Sequence, residues 1–397
     1  MKKILQQIPG FSTPKNTTEE HRHENTATTH QPEEAPIYLI SMAGYPNYGD
    51  ELITRRWLEF FAEHKPNTEI WLDVREPGTA SALFKNIHPN LHVVNTVFRA
   101  IFEYEHNLNR HPSELIKTLG SPRFDAGLLQ LRRAGTIHLL GGGFINNVWP
   151  SNALIIETMQ ATAQETGARL IATGQGLMPR ITENFTGFSH ISVRDTPSSY
   201  ALGITRGLDD AYLINPNTLT QNTAEFSPEN TQLYLCVQND AVEDGQHQRM
   251  LNFVRAQVKK LDIPRDNIHY VEAIPGADYA GYEALQDIVN PHGFISFQQF
   301  WDEDFTFSPE QLWITSRFHH HLMASLAGAR GIALSGKPDY YDVKHQSLLE
   351  LGSRWKLSNA DSQELYDWDD LTAPEDMTQY VHTKYAQAQQ LYNVTNT

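Results

Sequence analysis

The sequence predicts an α/β fold of two sheet-and-helix domains in tandem, on three observations. Short apolar runs alternate with stretches of helical periodicity along most of the chain, the pattern of parallel strands joined by covering helices. A polar stretch from Asn215 to Asn230 interrupts that alternation once, and the same series then begins again. The 397 residues, 40% of them apolar, are enough for two cores of ordinary size.

From Pro9 to Pro36 there is hardly an apolar side chain, so this stretch cannot bury enough surface to offset the entropy of ordering. Residues 1–36 are expected to be a flexible tail, with His21, His23 and His30 solvated. The first domain is expected over 37–214. It opens with strand Ile37 to Ile40, the loop Gly44 to Glu51, and a helix whose Leu52, Ile53, Trp57, Leu58 and Phe61 recur near helical spacing. Further strands are predicted at Glu69–Leu72, Leu91–Val94, Thr136–Leu140, Arg169–Ala172 and His190–Val193, with a helix from Ala153 to Gln164. Residues 215–230 read as a linker, and 231–360 as a second domain. Its strands are expected at Gln232–Val237, Ile268–Ala273, Phe294–Phe297, Leu312–Ile314 and Gly331–Ser335, with helices at Gln246–Leu261 and about Val343–Leu351. Ser316 is placed to cap the helix after Ile314. The segment 361–397 carries a helix pattern from Met377 to Tyr392 and is expected to pack back across the interface. Two such domains with strand ends facing a shared cleft form the GT-B-like arrangement of Rossmann-like halves.

A net charge of −16 argues against nucleic acid or an anionic membrane face as the main partner, so an anionic substrate would need a local basic pocket. Met1-Lys2-Lys3-Ile4-Leu5 runs straight into Gln6 and Gln7, so no secretion signal is expected, and no run of some eighteen apolar residues exists for a membrane span. A cytoplasmic location is expected, at most peripheral to the inner face of the membrane. The single cysteine, Cys236, sits in an apolar run and reads as a packed thiol.

Candidate chemistry gathers at the predicted strand ends. Asn47, Gly49, Asp50 and Glu51 follow the first strand, Gly141, Gly142 and Gly143 the fourth, Gly174, Gln175 and Gly176 the fifth, and Arg194 and Asp195 the sixth. Arg317 and His319 lie where a second-domain strand becomes a helix, and Lys344 lies past the next strand. In open α/β sheets ligands bind outside the carboxyl ends of strands, and a helix N-terminus there favours an anion. Each feature also has a structural reading: glycines mark turns, Asp50 could cap its helix, and Asp195 could hold Arg194 in an ion pair. The triple glycine lacks the spacing of a dinucleotide or phosphate loop. His319, His320 and His321 point about 100° apart on a helix and cannot share one ion, so no metal site is expected.

The segments GYPNYGDELI, HLLGGGFIN, GQGLMP, ISVRDTPSSYAL, TSRFHHHLMASLAGARGIALS and DVKHQSLLELG, in this order, resemble the polysaccharide pyruvyl transferases. The resemblance implies transfer of the pyruvyl group of phosphoenolpyruvate onto two hydroxyls of a sugar in a glycan or lipid-linked precursor, leaving a ketal and phosphate. Phosphoenolpyruvate is then a donor substrate, and no cofactor is implied. Arg194, Arg317, Lys344 and Phe318 would hold the donor. Phe318 stands where the family has leucine, and the approach to Lys344 through Lys337 to Tyr341 is longer than the family pattern. His319 would be the acid/base residue, with Asp50 acting on the acceptor hydroxyls. Asn47, Glu51, Gly142, Gly143 and Gln175 fall on the acceptor side, where Tyr45, Tyr48 and Trp149 could stack on a sugar face. Two alternatives stand beside this. A GT-B glycosyltransferase would need an acid for a nucleotide ribose, for which Glu272 and Asp278 are candidates. A non-catalytic glycan-binding relative would keep the fold alone.

Overall fold

The structure, a computed structural model, describes residues 34–106, 110–118, 125–180, 184–219, 224–240, 242–303, 305–337, 340–359 and 364–395. The tail expected at 1–36 lies outside them except for its last three residues. The first sheet holds β1 (Ile37–Ile40), β2 (Ile70–Asp73), β3 (Leu91–Val94), β4 (Thr136–Leu139), β5 (Arg169–Gln175) and β6 (Phe188–Val193). They lie in the order β3-β2-β1-β4-β5-β6, all parallel. The second sheet holds β7 (Gln232–Cys236), β8 (Ile268–Val271), β9 (Phe294–Ile295), β10 (Gln311–Thr315), β11 (Arg330–Ser335) and β12 (Lys356–Asn359). Its order is β12-β11-β10-β7-β8-β9, again all parallel. Numbered within its own domain, each sheet has the same order, that of the doubly wound dinucleotide fold. The two form the GT-B-like α/β arrangement that the sequence predicts.

Burial explains why the strands read as unbroken apolar runs. Every residue of β1 and of β10 is buried, because helices cover both faces of a parallel sheet. Side chains still alternate between faces: Ile37 and Leu39 join one core cluster, Tyr38 and Ile40 another. The cluster containing Leu39 continues through Trp57 and Phe61 to Trp313 and Leu322, so one apolar layer is common to both domains. The helix Thr378–Tyr392 joins this layer and ties to the first domain. Tyr392 Oη lies 2.8 Å from His138 Nδ1, Lys384 pairs with the buried Asp210 at 2.5 Å, and Arg169 Nη1 donates to the Leu391 carbonyl at 2.6 Å.

Several local expectations need correction. The run Phe294–Phe297 is a strand only to Ile295, because Ser296 caps a short helix, Phe297–Asp302, through a capping box with Gln299. Ser316 does not cap the following helix, Phe318–Leu326. Its Oγ accepts the backbone N–H of Gln238 at 2.9 Å, binding β10 to the end of β7, and Arg317 occupies the cap position in extended conformation. Strand β12 had no prediction, since Lys356–Asn359 is a short edge segment without an apolar run. Among the described residues no helix is long and apolar enough to cross a membrane.

Candidate active site

A sheet of this order has a switch point between its two central strands, where the loops leaving their carboxyl ends diverge and leave a crevice. Here those strands are β1 and β4 in one domain and β7 and β10 in the other, and a cleft of about 570 Å³ opens beside both. Asn47, Gly49 and Asp50 line it from the end of β1, Gly143 and Trp149 from the end of β4, and Arg194 from the end of β6. The second domain contributes Asp240, Arg317, Phe318, His319, Tyr340 and Lys344.

Arg194 is almost fully buried, and its charge is matched by Asp209, whose Oδ2 accepts from Nη1 at 2.6 Å. Burial works against the guanidinium, but Asp209 outweighs it and raises the pKa. Two glycines make room for the side chain. A Cβ on Gly143 would come 2.8 Å from Nη2, and one on Gly176 would come 2.9 Å from Nε. The Phe318 ring supports the guanidinium from the second domain, 4.7 Å from Cζ to the centroid. The glycine-rich strand ends thus seat an arginine.

Arg317 presents its guanidinium to two carboxylates. Nε donates to Asp278 Oδ1 at 3.0 Å, and Nη2 lies 2.5 Å from both Asp278 Oδ1 and Asp240 Oδ1. Asp278 is fully buried and also accepts the backbone N–H groups of Ala273 and Ile274, at 2.9 and 2.8 Å, so it is a fixed part of the scaffold. Asp240 is 41% exposed at the cleft. His319, two residues on, turns Nε2 to Asp209 Oδ1 at 3.3 Å, and its Nδ1 fills the space over Gly49, where a Cβ would come within 1.9 Å. Asp209 is therefore shared by Arg194 and His319. Burial pushes its carboxyl up, but His319 and Arg194 together hold it well below the usual range.

On the opposite wall Asn47 caps the helix Tyr48–His64, accepting from Gly49 N at 3.3 Å and donating from Nδ2 to Asp50 Oδ2 at 2.8 Å. Asp50 is therefore not the cap. Burial raises its pKa, and His319, Arg194 and Lys344 pull it partly back. Lys344 Nζ stands 3.6 Å from the Tyr340 ring centroid, and Tyr340 Oη donates to Gly143 O at 3.2 Å. Burial, with Arg194 adding repulsion, holds the lysine well below its usual range.

Some predicted residues lie elsewhere. Glu51 is fully buried, its Oε1 accepting the backbone N–H of Gly44 at 2.8 Å, and burial pushes its pKa to about 8. It braces the loop and does not line the cleft. Gln175 is also buried, donating to the carbonyls of Leu140 and Thr173 at 2.8 and 2.9 Å, and Gly142 bridges to it, so neither meets the cleft. The ion-pair partner of Arg194 is Asp209; Asp195 adds only the field of its charge and caps the helix Thr196–Leu202 through Ser198 N at 2.8 Å. The consecutive histidines diverge as their spacing requires. His320 is enclosed by Tyr48, Phe300 and Trp313, and His321 Nδ1 meets His345 Nδ1 at 3.0 Å. Sequence reasoning did not single out Asp209, Asp240 or Tyr340, which lie outside the quoted motifs. The signal for Asp209 was a buried arginine in need of a countercharge and two adjacent acids in the apolar setting Leu208 to Tyr212.

The model of one family, described as polysaccharide pyruvyl transferase, matches residues 47–338, which takes in every cleft residue named above except Lys344 and Tyr340. The chain belongs to that family. No curated protein matches the sequence. Among solved structures, the S. aureus MnaA-UDP co-structure is 11% identical with a TM-score of 0.48, covering 91% of this chain and 98% of that one. A putative UDP-N-acetylglucosamine 2-epimerase from Listeria monocytogenes is 13% identical with a TM-score of 0.48, covering 90% and 88%. Anabaena Alr3699/HepE in complex with UDP and glucose is 10% identical with a TM-score of 0.46, covering 91% of each. These likenesses are loose and carry no argument about function. The arginines of V-R-D and S-R-x-H, Arg194 and Arg317, both line the cleft, as does Arg75.

Proposed function

We propose that this chain transfers the pyruvyl group of phosphoenolpyruvate onto two hydroxyls of a sugar residue in a polysaccharide or its precursor, forming a pyruvate ketal and releasing phosphate. The observation that carries the reading is the meeting of Arg194, Arg317, Lys344 and His319 in one cleft, in a chain of the pyruvyl transferase family. Phosphoenolpyruvate presents a carboxylate and a phosphate on a three-carbon frame, and planar guanidiniums suit such oxyanions. Burial and Arg194 lower the Lys344 pKa, and a phosphate bound beside it would favour its charged form.

In the first step the methylene carbon takes a proton from His319, and a sugar hydroxyl gives its proton to Asp50 as its oxygen bonds to the adjacent carbon, whose double bond is consumed. In the second, another hydroxyl loses its proton, its oxygen bonds to the same carbon and the C–O bond to phosphate breaks. His319 serves as acid and then base, a role typically worth ~10²–10⁴ in rate. Asp50 and Asn47, across the cleft, bind the acceptor hydroxyls, and Asp50, with its raised pKa, is suited to take a hydroxyl proton.

Support against a nucleotide-sugar donor comes from the two acids that reading would need. Glu272 accepts the backbone N–H groups of Gly276 and Phe297 at 3.1 and 3.2 Å, and Asp278 is tied to Arg317. The test is phosphate release from phosphoenolpyruvate across a panel of glycosides, with the ketal methyl group read by NMR. Arg317→Ala should weaken donor binding strongly, and His319→Ala should lower turnover with donor binding largely kept. Thermal stabilisation by nucleotide sugars and none by phosphoenolpyruvate would reject the proposal.

A further inference from the structure

Asp209 belongs to none of the motifs that mark the cleft, yet it is the group on which two of the functional side chains converge. Its Oδ2 accepts from Arg194 Nη1 at 2.6 Å. Its Oδ1 accepts the backbone N–H of Ala211 at 2.8 Å and lies 3.3 Å from His319 Nε2. The residue is 2% exposed, and as the cap of the turn Asp210–Tyr212 its own backbone is fixed. Three partners leave the carboxylate no freedom to rotate.

An ionised carboxylate accepts hydrogen bonds and cannot donate them. The nitrogen of His319 that faces Asp209 must therefore carry the hydrogen, which in a neutral imidazole leaves the lone pair on Nδ1. Nδ1 is the atom over Gly49, at the start of the Tyr48–His64 helix, where only a glycine leaves it space. Other titratable groups around the ring come from every neighbouring element: Asp50 on that helix, Arg194 beyond Asp209, Lys344 on the helix Tyr341–Leu349, and Arg317 and the buried, neutral His320 on either side in the chain. Among these, Asp209 is the carboxylate within hydrogen-bond range of the ring.

We propose that Asp209 is a positioning residue that fixes His319 as the Nε2–H tautomer, makes Nδ1 the atom that exchanges the proton, and locks the imidazole in one frame with Arg194. This rests on the pyruvyl transfer reading, with His319 as the proton carrier. The competing account is that Asp209 only neutralises a buried arginine and touches His319 incidentally.

The test uses the full chain. Nitrogen-15 NMR of wild-type protein, with the His319 signal assigned through His319→Ala, should show that the neutral ring keeps its hydrogen on Nε2 and leaves Nδ1 bare. Asp209→Asn should mix the tautomers and lower kcat for pyruvyl transfer by ~10² or more, with a smaller rise in the KM of phosphoenolpyruvate than Arg194→Ala produces. A wild-type His319 whose neutral ring carries its hydrogen on Nδ1 instead of Nε2 would overturn the proposal. So would Asp209→Asn with unchanged kcat and only a raised KM. If the wild-type chain releases no phosphate with any acceptor, the donor reading fails, and the tautomer measurement still decides the role of Asp209.

Discussion

Replacing Gly49 with alanine tests the way the two domains share the cleft. The added Cβ would stand 1.9 Å from His319 Nδ1, 2.5 Å from Cε1 and 2.7 Å from Cγ, against ordinary contact from 3.4 Å outward. The ring would have to retreat by roughly 1.5 Å, and it is hemmed in by the Phe318 ring, with centroids 4.9 Å apart, and by Asp209. A misplacement of about 1 Å in a reacting group can cost ~10² in rate, so kcat for pyruvyl transfer should fall by ~10² or more. Gly49 lies in the first turn of a helix without positive φ, where alanine is favoured over glycine by ~0.5–1 kcal/mol, which offsets only part of the ~1–3 kcal/mol that overpacking costs, so the melting temperature should fall slightly. The assay is steady-state phosphate release by Gly49→Ala, His319→Ala and the double variant. Once the imidazole is gone there is nothing to clash with, so the double variant should be no slower than His319→Ala. Wild-type turnover in Gly49→Ala, or additive losses in the pair, would refute the reasoning.

Three other outcomes are expected. Gly176→Ala should raise the KM of phosphoenolpyruvate by ~10-fold or more with a smaller change in kcat, because its Cβ would press 2.9 Å from Arg194 Nε while Asp209 and Phe318 block retreat; initial-rate kinetics decide this. An anion beside Lys344 raises its lowered pKa, so phosphoenolpyruvate binding should take up protons over the pH range in which the lysine titrates, read by calorimetry in buffers of different ionisation enthalpy, and Lys344→Met should remove that uptake. Glu51 titrates near 8 in the fold and near 4.5 when unfolded, so its stabilising effect is complete below about pH 4.5 and lost as pH rises through about 8. Glu51→Gln should remove a pH-dependent loss on the order of 4 kcal/mol and be the more stable protein at pH 9; urea unfolding from pH 5 to 9 would show equal slopes if this is wrong.

The chain's own pattern determined the α/β class, the tandem series and most strand positions, because a strand covered on both faces is apolar through its middle, as Leu233 to Cys236 and Leu312 to Ile314 are. It also marked Arg194, Arg317 and His319, since charged side chains next to such runs stand at strand ends. Boundaries were less legible where a side chain chose its partner through space, as when Ser316 bonded Gln238 and left the cap to Arg317. The division between cleft and scaffold was decided only by tertiary structure. Adjacent residues Asp50 and Glu51 point about 100° apart on one helix turn, one into the cleft and the other into the scaffold, and nothing local says which is which. Asp209 and Arg194 are fifteen residues apart, and Gly49 and His319 belong to different domains, so their contacts exist only once both sheets have folded and docked. Periodicity is a local property of the chain; a shared carboxylate or a missing Cβ acquires meaning only from what stands opposite it.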